Sequence, residues 1–313
     1  MRVGVTGISS DLGQALLPRL DADPEVQAIV AVDVEPPPTS SRKLQFVRID
    51  LTRPDAEADL ITLFRSGRLD ALYHLAFVNS RVHGAAFAHE LEVIGTLHVL
   101  AAAQACGLPR LIIPSLTAVY GARRDGVSLH AEHQPLHGAG ARFVLDRVEV
   151  EHQAAQFAHR NPDTHLLVLR FAPIVGPQSD NPFTRLVRNR MVPTALGFDP
   201  LWQVVHESDA GRALHLALTT AASGAFNIVC AQALPLSALL RLAGASATPL
   251  PTVLFRATIR ALELAGVASV PMPLLDYLKY PWLADGRRAQ ALLGFTAHTD
   301  VRRAMASLVA NKE

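Results

Sequence analysis

Apolar residues alternate through Val3, Gly4, Val5 and Thr6, and the stretch Leu12 to Leu20 (LGQALLPRL) then carries the three-to-four-residue apolar spacing of a helix. Between them lies a turn with glycines at Gly7 and Gly13, so the chain opens as strand, tight turn and helix. A second apolar run, AIVAV, ends at Asp33, and a polar, proline-rich loop (EPPPTSSRK) separates it from LQFVRIDL, a third strand closed by Asp50 and Leu51. AEADLITLFRSG has helical spacing up to Gly67. LDALYHLAF, ending at Phe77, is the nearly all-apolar strand expected inside a parallel sheet.

The same alternation continues. Ala85 to Ala105 predicts a helix that stops at Gly107, RLIIPSLTAVYG a strand, VLDRVEVEHQAAQFAHR a helix and HLLVLRF a strand. Strands that alternate with helical segments of this length predict an α/β protein with a doubly wound parallel sheet. After Gly176-Pro177 the elements shorten and prolines increase, and a long hydrophobic segment from Leu254 to Val270 carries Arg256, Arg260 and Glu263. Residues 176–313 are therefore expected to form mainly a smaller substrate-binding lobe over the C-terminal edge of a sheet domain built from residues 1–175. Open α/β sheets bind their ligands in that crevice.

Composition narrows the function classes. With 313 residues, half of them hydrophobic, and a net charge of +1, the chain has no run of Lys or Arg to meet nucleic acid or an anionic membrane. A small-molecule ligand is the expected partner. Cys106 and Cys230 are the only cysteines and lack metal-type spacing, which predicts no disulfide framework, no metal site and a reducing cytoplasmic setting. No apolar stretch of about 18 residues is free of charge or proline, so no membrane span is expected.

The first turn carries the clearest chemistry. Backbone N–H groups at a helix N-terminus, with the positive end of its dipole, suit a diphosphate, which points to Gly7, Ser10, Asp11, Leu12 and Gly13. Asp33 lies about 20 residues beyond the last glycine, where a carboxylate accepts the ribose hydroxyls of NAD and repels the 2′-phosphate of NADP. Asp50 and Leu51 are placed beside the adenine, and Leu75 and Ala76 at the next strand end face the cofactor. Ser10 stands where the spacing T-G-x-x-G-x-x-G has its middle glycine; its side chain either crowds the phosphates or hydrogen-bonds them. His74, at a buried strand end, reads as a structural residue satisfied by the backbone.

These residues resemble the extended short-chain dehydrogenase/reductases, the NAD-dependent nucleotide-sugar epimerases and dehydratases. The resemblance runs along nearly the whole chain: TGISSDLG, Asp33, Asp50-Leu51, HLAF for HLAA, Ser115-Leu116-Thr117-Ala118-Val119-Tyr120-Gly121 for S-S-x-x-V-Y-G, LRFAPIVGP from Leu169, HESDAGRA from His206, and ADGRRAQALLGF. It implies a Rossmann-type sheet with contributions from the segment around 204–230, Phe171 beside the cofactor, a nucleotide-sugar or other hydroxylated substrate, and a homodimer. The helices Ala85 to Ala105 and Phe143 to Arg160 would form the dimer contact.

The departures fall at the chemistry. The family's Y-x-x-x-K reads Phe143-Val144-Leu145-Asp146-Arg147, and a phenyl ring carries no proton. Arg147 keeps fixed donors for the nicotinamide ribose but is not a tunable ammonium. The family's serine falls on Leu116, and Thr117, one position on, points to the other strand face unless the strand bulges. Glu92 replaces an asparagine, and Trp202 replaces an arginine that meets the nucleotide diphosphate; Arg185, Arg188 and Arg190 are the remaining phosphate candidates. Among His130, His133 and His137, His137 is the best replacement proton carrier. Tyr120 reads as packing. Two functions follow: an NAD-dependent epimerase/dehydratase-like oxidoreductase with a non-standard acid/base, or a catalytically retired NAD-binding sensor or partner-binding protein.

Overall fold

A computed structural model describes residues 1–77, 85–126, 129–138, 140–264 and 275–308. The elements of the sheet half, in chain order, are β1 (Arg2–Thr6), α1 (Asp11–Ala22), β2 (Ala28–Asp33), β3 (Leu44–Arg48), α2 (Ala56–Gly67), β4 (Ala71–His74), α3 (Ala85–His89), α4 (Gly95–Ala105), β5 (Arg110–Leu116), β6 (Leu129–His130), α5 (Arg142–Arg160), β7 (His165–Phe171) and β8 (Ile174–Val175). There follow α6 (Pro182–Val187), β9 (Met191–Ala195), β10 (Leu201–Trp202), β11 (Val205–His206), α7 (Glu207–Leu216), β12 (Gly224–Ile228), β13 (Leu234–Pro235), α8 (Leu236–Leu242), β14 (Ser246–Leu250), α9 (Thr252–Leu264), β15 (Leu283–Ala284), α10 (Arg287–Leu293) and α11 (Val301–Ser307).

Seven parallel strands make the central sheet in the order β12-β7-β5-β4-β1-β2-β3. Its two faces bury separate apolar layers. One packs α1 and α7 over Val3, Val5 and Tyr73; the other packs α2, α4 and α5 over Val30, Leu72 and Ile113. The order reverses between β1 and β4, and the crevice at that switch point lies outside the strand C-termini. A third apolar cluster, including Phe183, Trp202, Leu239, Phe255 and Trp282, is the core of the lobe built from α6, β9, β14, α8 and α11.

Two expected elements differ in detail. RLIIPSLTAVYG is extended only to Leu116, and Thr117–Tyr120 coil into a 3-10 turn that lets the chain leave the sheet. The helix expected from Ala85 to Ala105 is continuous but contains a π-helical turn, Glu90–Ile94, an insertion that re-aims side chains on the helix. Ala86–Ala105 is long and apolar enough to cross a membrane by length and composition, yet its Val99, Leu100 and Ala103 pack into the layer beneath the sheet. Of the hydrophobic segment Leu254 to Val270, α9 accounts for the part up to Leu264; the rest lies outside the described residues.

His74 is structural, but threonines rather than the backbone satisfy it. Its Nδ1 lies 2.7 Å from Thr6 Oγ1 and its Nε2 2.9 Å from Thr96 Oγ1. The Thr96 hydroxyl donates to the Glu92 carbonyl, so it accepts from His74 Nε2–H, and Nδ1 accepts from Thr6. Complete burial, reinforced by the positive charge of Arg147, pushes the His74 pKa down to about 3. The unfolded chain therefore takes up a proton near pH 6.5 that the folded chain refuses. Stability from this residue is full above that pH and falls as pH drops toward 3. Between pH 7 and pH 5 the loss is about 2 kcal/mol. Urea denaturation should show His74→Gln losing less stability than the parent over this interval; identical pH slopes would count against the assignment.

Candidate active site

The site begins at the turn between β1 and α1. Gly7 has φ +74°, and a Cβ there would sit 2.3 Å from Ala76 N, so only glycine lets this turn lie against the end of β4. A Cβ on Gly13 would meet Ile8 O at 2.3 Å. Ser10 is the N-cap of α1: its hydroxyl donates to Gly7 O at 2.7 Å and accepts from Gly13 N–H at 3.2 Å. The Asp11 and Leu12 N–H groups have no acceptor among the described residues, and they head the helix dipole.

Asp33 sits at the end of β2, and Ser9, a residue the sequence reading passed over, holds it. Ser9 donates both its N–H, at 3.0 Å, and its hydroxyl to Asp33 Oδ2, while Val34 N–H donates to Oδ1. The carboxylate is thus oriented yet keeps lone pairs for two further donors. Asp50 Oδ1 accepts from Thr52 N–H and Oγ1–H, and Leu51 is buried with its carbonyl bonded to His98 Nδ1. Leu12, Leu75 and Phe171 line the crevice.

The deep wall is where two departures meet. Arg147 on α5 and Glu92 on the π-helical turn are both buried, and Arg147 Nη2 lies 3.5 Å from Glu92 Oε1. The guanidinium also stacks on Phe77, 3.6 Å from the ring centroid. Burial lowers the Arg147 pKa and Glu92 opposes the shift. Among the described residues Arg147 Nε and Nη1 are buried without a hydrogen-bond partner, although the residue lines the cleft. A buried donor left unmatched is costly, so the site as it stands is short of an acceptor. A cofactor ribose supplies oxygens of that kind. Together with the glycine turn and Asp33, this makes the residues present a fit for NAD.

Leu116 and Phe143 line the same cleft; Thr117 does not. Thr117 is buried in the 3-10 turn that follows β5. His137 also lies outside the cleft lining. Its backbone N–H bonds Val119 O at 3.0 Å, and the residue, like His133, is exposed. His130 is buried, stacked on Tyr120 at 4.7 Å, with its pKa lowered chiefly by burial. No cluster of metal-ligating residues occurs among the described residues.

A buried polar chain runs beneath the cleft. Ser115 Oγ, on the cleft wall, donates to Glu151 Oε1 at 2.6 Å; Arg170 clasps both Glu151 oxygens and donates to Tyr120 Oη at 2.7 Å. Tyr120 donates in turn to Asn227 Oδ1. Tyr120 is therefore held in the frame that ties β5, β7 and β12 together.

On the lobe side, Trp202 Nε1 donates to Tyr277 O at 3.1 Å and Tyr277 Oη donates to Ala118 O at 2.7 Å. Of the phosphate candidates, Arg185 forks onto Asp180 at 2.7 and 2.8 Å, Arg188 also reaches Asp180 and donates to Ser179 O, and Arg190 is exposed. At the mouth, Asp180 N–H donates to Asp11 Oδ2, and burial, with the nearby Asp180 and Glu207 carboxylates, raises the Asp11 pKa. Asp180, Tyr277 and Trp282 belong to the site only through tertiary contact, and no local motif marks them; Ser115 lies within the S-S-x-x-V-Y-G segment, but its place on the cleft wall shows only in the fold.

Breaking a buried ion pair from one side strands a charge. Glu92→Leu is expected to cost about 3–5 kcal/mol, whereas Glu92→Leu with Arg147→Met should recover a large part of that loss. Denaturant titration of the three proteins checks it; a double variant no more stable than Glu92→Leu would contradict the coupling.

Residues 3–229 match the NAD dependent epimerase/dehydratase family. Uncharacterized proteins of Mycobacterium tuberculosis (strain ATCC 25618 / H37Rv) and Mycobacterium bovis are each 29% identical over 299 residues, covering 93% of this chain and 78% of the relative. Among solved structures, MoeE5 in complex with UDP-glucose and NAD is 25% identical with a TM-score of 0.72, covering 99% of this chain and 98% of that one. UDP-glucose 4-epimerase from Thermotoga maritima shares the fold at 18% identity and a TM-score of 0.73, with coverage of 99% and 98%. With the glycine turn, the acid at the end of β2 and the seven-stranded parallel sheet in the matched region, the chain belongs to the NAD dependent epimerase/dehydratase family.

Proposed function

We propose that the chain binds NAD across the ends of β1, β2 and β3, takes a hydroxylated small molecule beside it, and works as an NAD-binding sensor of that ligand. The observation that carries this reading is the wall of Leu116 and Phe143, with Arg147 locked between Glu92 and Phe77, where the family's serine, tyrosine and lysine stand. Arg147 would hold the nicotinamide ribose, Asp33 the adenosine ribose, and the head of α1 the diphosphate. The NAD named with MoeE5 supports the cofactor assignment. Two free cysteines suit a reducing cytoplasm.

The second reading, an oxidoreductase with a non-standard acid/base, is favoured by Ser115. When bound, NAD supplies a hydride acceptor. Ser115 Oγ can accept a hydrogen bond from a ligand hydroxyl while its own proton points to Glu151 Oε1, so an alcohol proton has a two-step route to a carboxylate that avoids residue 143.

The test joins binding to turnover. NAD should raise the melting temperature more than NADP at equal concentration, by the equivalent of about 2.7 kcal/mol at 100 times Kd. An NADP preference would refute the role of Asp33. In an NADH absorbance assay with nucleotide sugars and simple carbonyls, the parent should be silent and Phe143→Tyr with Arg147→Lys and Leu116→Ser should gain slow turnover. Acid–base groups supply about 10²–10⁴-fold, so the gain is measurable. Parent turnover abolished by Ser115→Ala would replace the sensor with the enzyme.

A homodimer through α4 and α5 is part of the same reading, and Leu97 and Leu145 on those helices are 45% and 42% exposed. Light scattering should give a dimer that Leu97→Glu with Leu145→Glu converts to monomer. A monomeric parent at micromolar concentration would refute it.

A further inference from the structure

The far end of the cleft has the chemistry of an apolar pocket. Leu116 and Phe143 come from the sheet side, and Phe183, Trp202, Tyr277 and Trp282 from the lobe. The aromatic groups are fixed as a packed cluster: Trp202 and Trp282 meet edge-on at 5.0 Å, Tyr277 and Trp282 edge-on at 5.2 Å, and Phe183 stacks on Trp202 at 5.0 Å. Two of their polar atoms are spent inside the wall, since Trp202 Nε1 serves the Tyr277 carbonyl and Tyr277 Oη the Ala118 carbonyl. What remains of these six side chains is hydrocarbon apart from the Trp282 Nε1–H, a buried donor without an acceptor among the described residues.

A nucleotide diphosphate needs the reverse. It brings two negative charges, which enter a buried site only with cations or several donors to receive them. On the lobe side Arg185 and Arg188 are held by Asp180, Lys279 lies over the Phe198 ring, and the carboxyl groups of Asp11 and Glu207 line the mouth.

We infer that this end of the cleft takes a ligand with an apolar, ring-sized body bearing a hydroxyl or carbonyl oxygen, and excludes nucleotide-diphosphate sugars. The inference rests on the reading that the cleft is the ligand site beside NAD, and it specifies the class of that ligand. Ser115, at the sheet end of the same cleft beside Leu116, is the hydroxyl that the ligand oxygen would meet.

Trp202 and Trp282 are the only tryptophans in the chain, and both line the pocket, so tryptophan emission reports on the site directly. The whole 313-residue chain, saturated with NAD, is titrated with cyclohexanone and 4-phenylcyclohexanone, and separately with UDP and UDP-glucose. The cyclic ketones should give a saturable emission change, and the uridine compounds none at the same concentrations. Leu116→Ser, a polar substitution at a half-buried wall position, should weaken ketone binding by roughly 10-fold or more. Trp202→Arg should weaken it further, with Trp282 as reporter. Both variants are checked for folding by the NAD-dependent rise in melting temperature.

Saturable binding of UDP-glucose that displaces the ketone would overturn the inference while leaving the NAD cleft intact. So would an absence of ketone binding to protein that NAD stabilises. Ketone binding without any NAD stabilisation would uphold the pocket and instead remove the cofactor reading.

Discussion

The close approach of the first turn to the end of β4 sets the geometry on which the rest depends. Gly7 donates its N–H to Val32 O at 2.8 Å, Leu75 N–H donates to Thr6 O at 2.8 Å, and no side chain fits between Gly7 and Ala76. The head of α1 is thereby pinned where the strand order reverses. Ser10 finishes the start of the helix by capping it, and Ser9 turns the acid at the end of β2 toward the same crevice. A larger residue at position 7 would separate β1 from β4 and open the switch point itself.

Against that retained frame, the opposite wall has exchanged its chemistry. A polar relay would face the crevice with hydroxyl and ammonium groups; here leucine and phenylalanine face it, and Arg147 is paired from behind with Glu92. The charge of Arg147 is contained within the fold, and the His74 site is kept neutral beside it. Polarity has moved one layer down, into the chain from Ser115 through Glu151, Arg170 and Tyr120 to Asn227, which braces three strands. The cleft thus keeps the glycine turn and the acid of β2 at one end and has an apolar, aromatic lining at the other.

Family membership was legible because its signals are local. Glycine turns, the acid after β2, and the alternation of strand and helix each depend on a few neighbouring residues, whereas the 3-10 turn that begins at Thr117 reads in the sequence as more strand. Residues that act through distant contacts left no such trace. Glu92 and Arg147 each read as an isolated departure, and only the packing of α5 against the π-helical turn shows them as one ion pair. Asp180 likewise gives no hint in sequence that it occupies Arg185 and Arg188.

The sequence by itself determined the α/β class, the parallel alternation and the cofactor turn, because backbone propensity, side-chain period and glycine's steric freedom operate over a few residues. Tertiary structure alone decided which cations are free, which hydroxyls meet the cleft and what the lobe presents to a ligand. Those properties depend on burial and on partners distant in the chain: Trp202 and Tyr277 close one wall across 75 residues, and Tyr277 reaches Ala118 across 159.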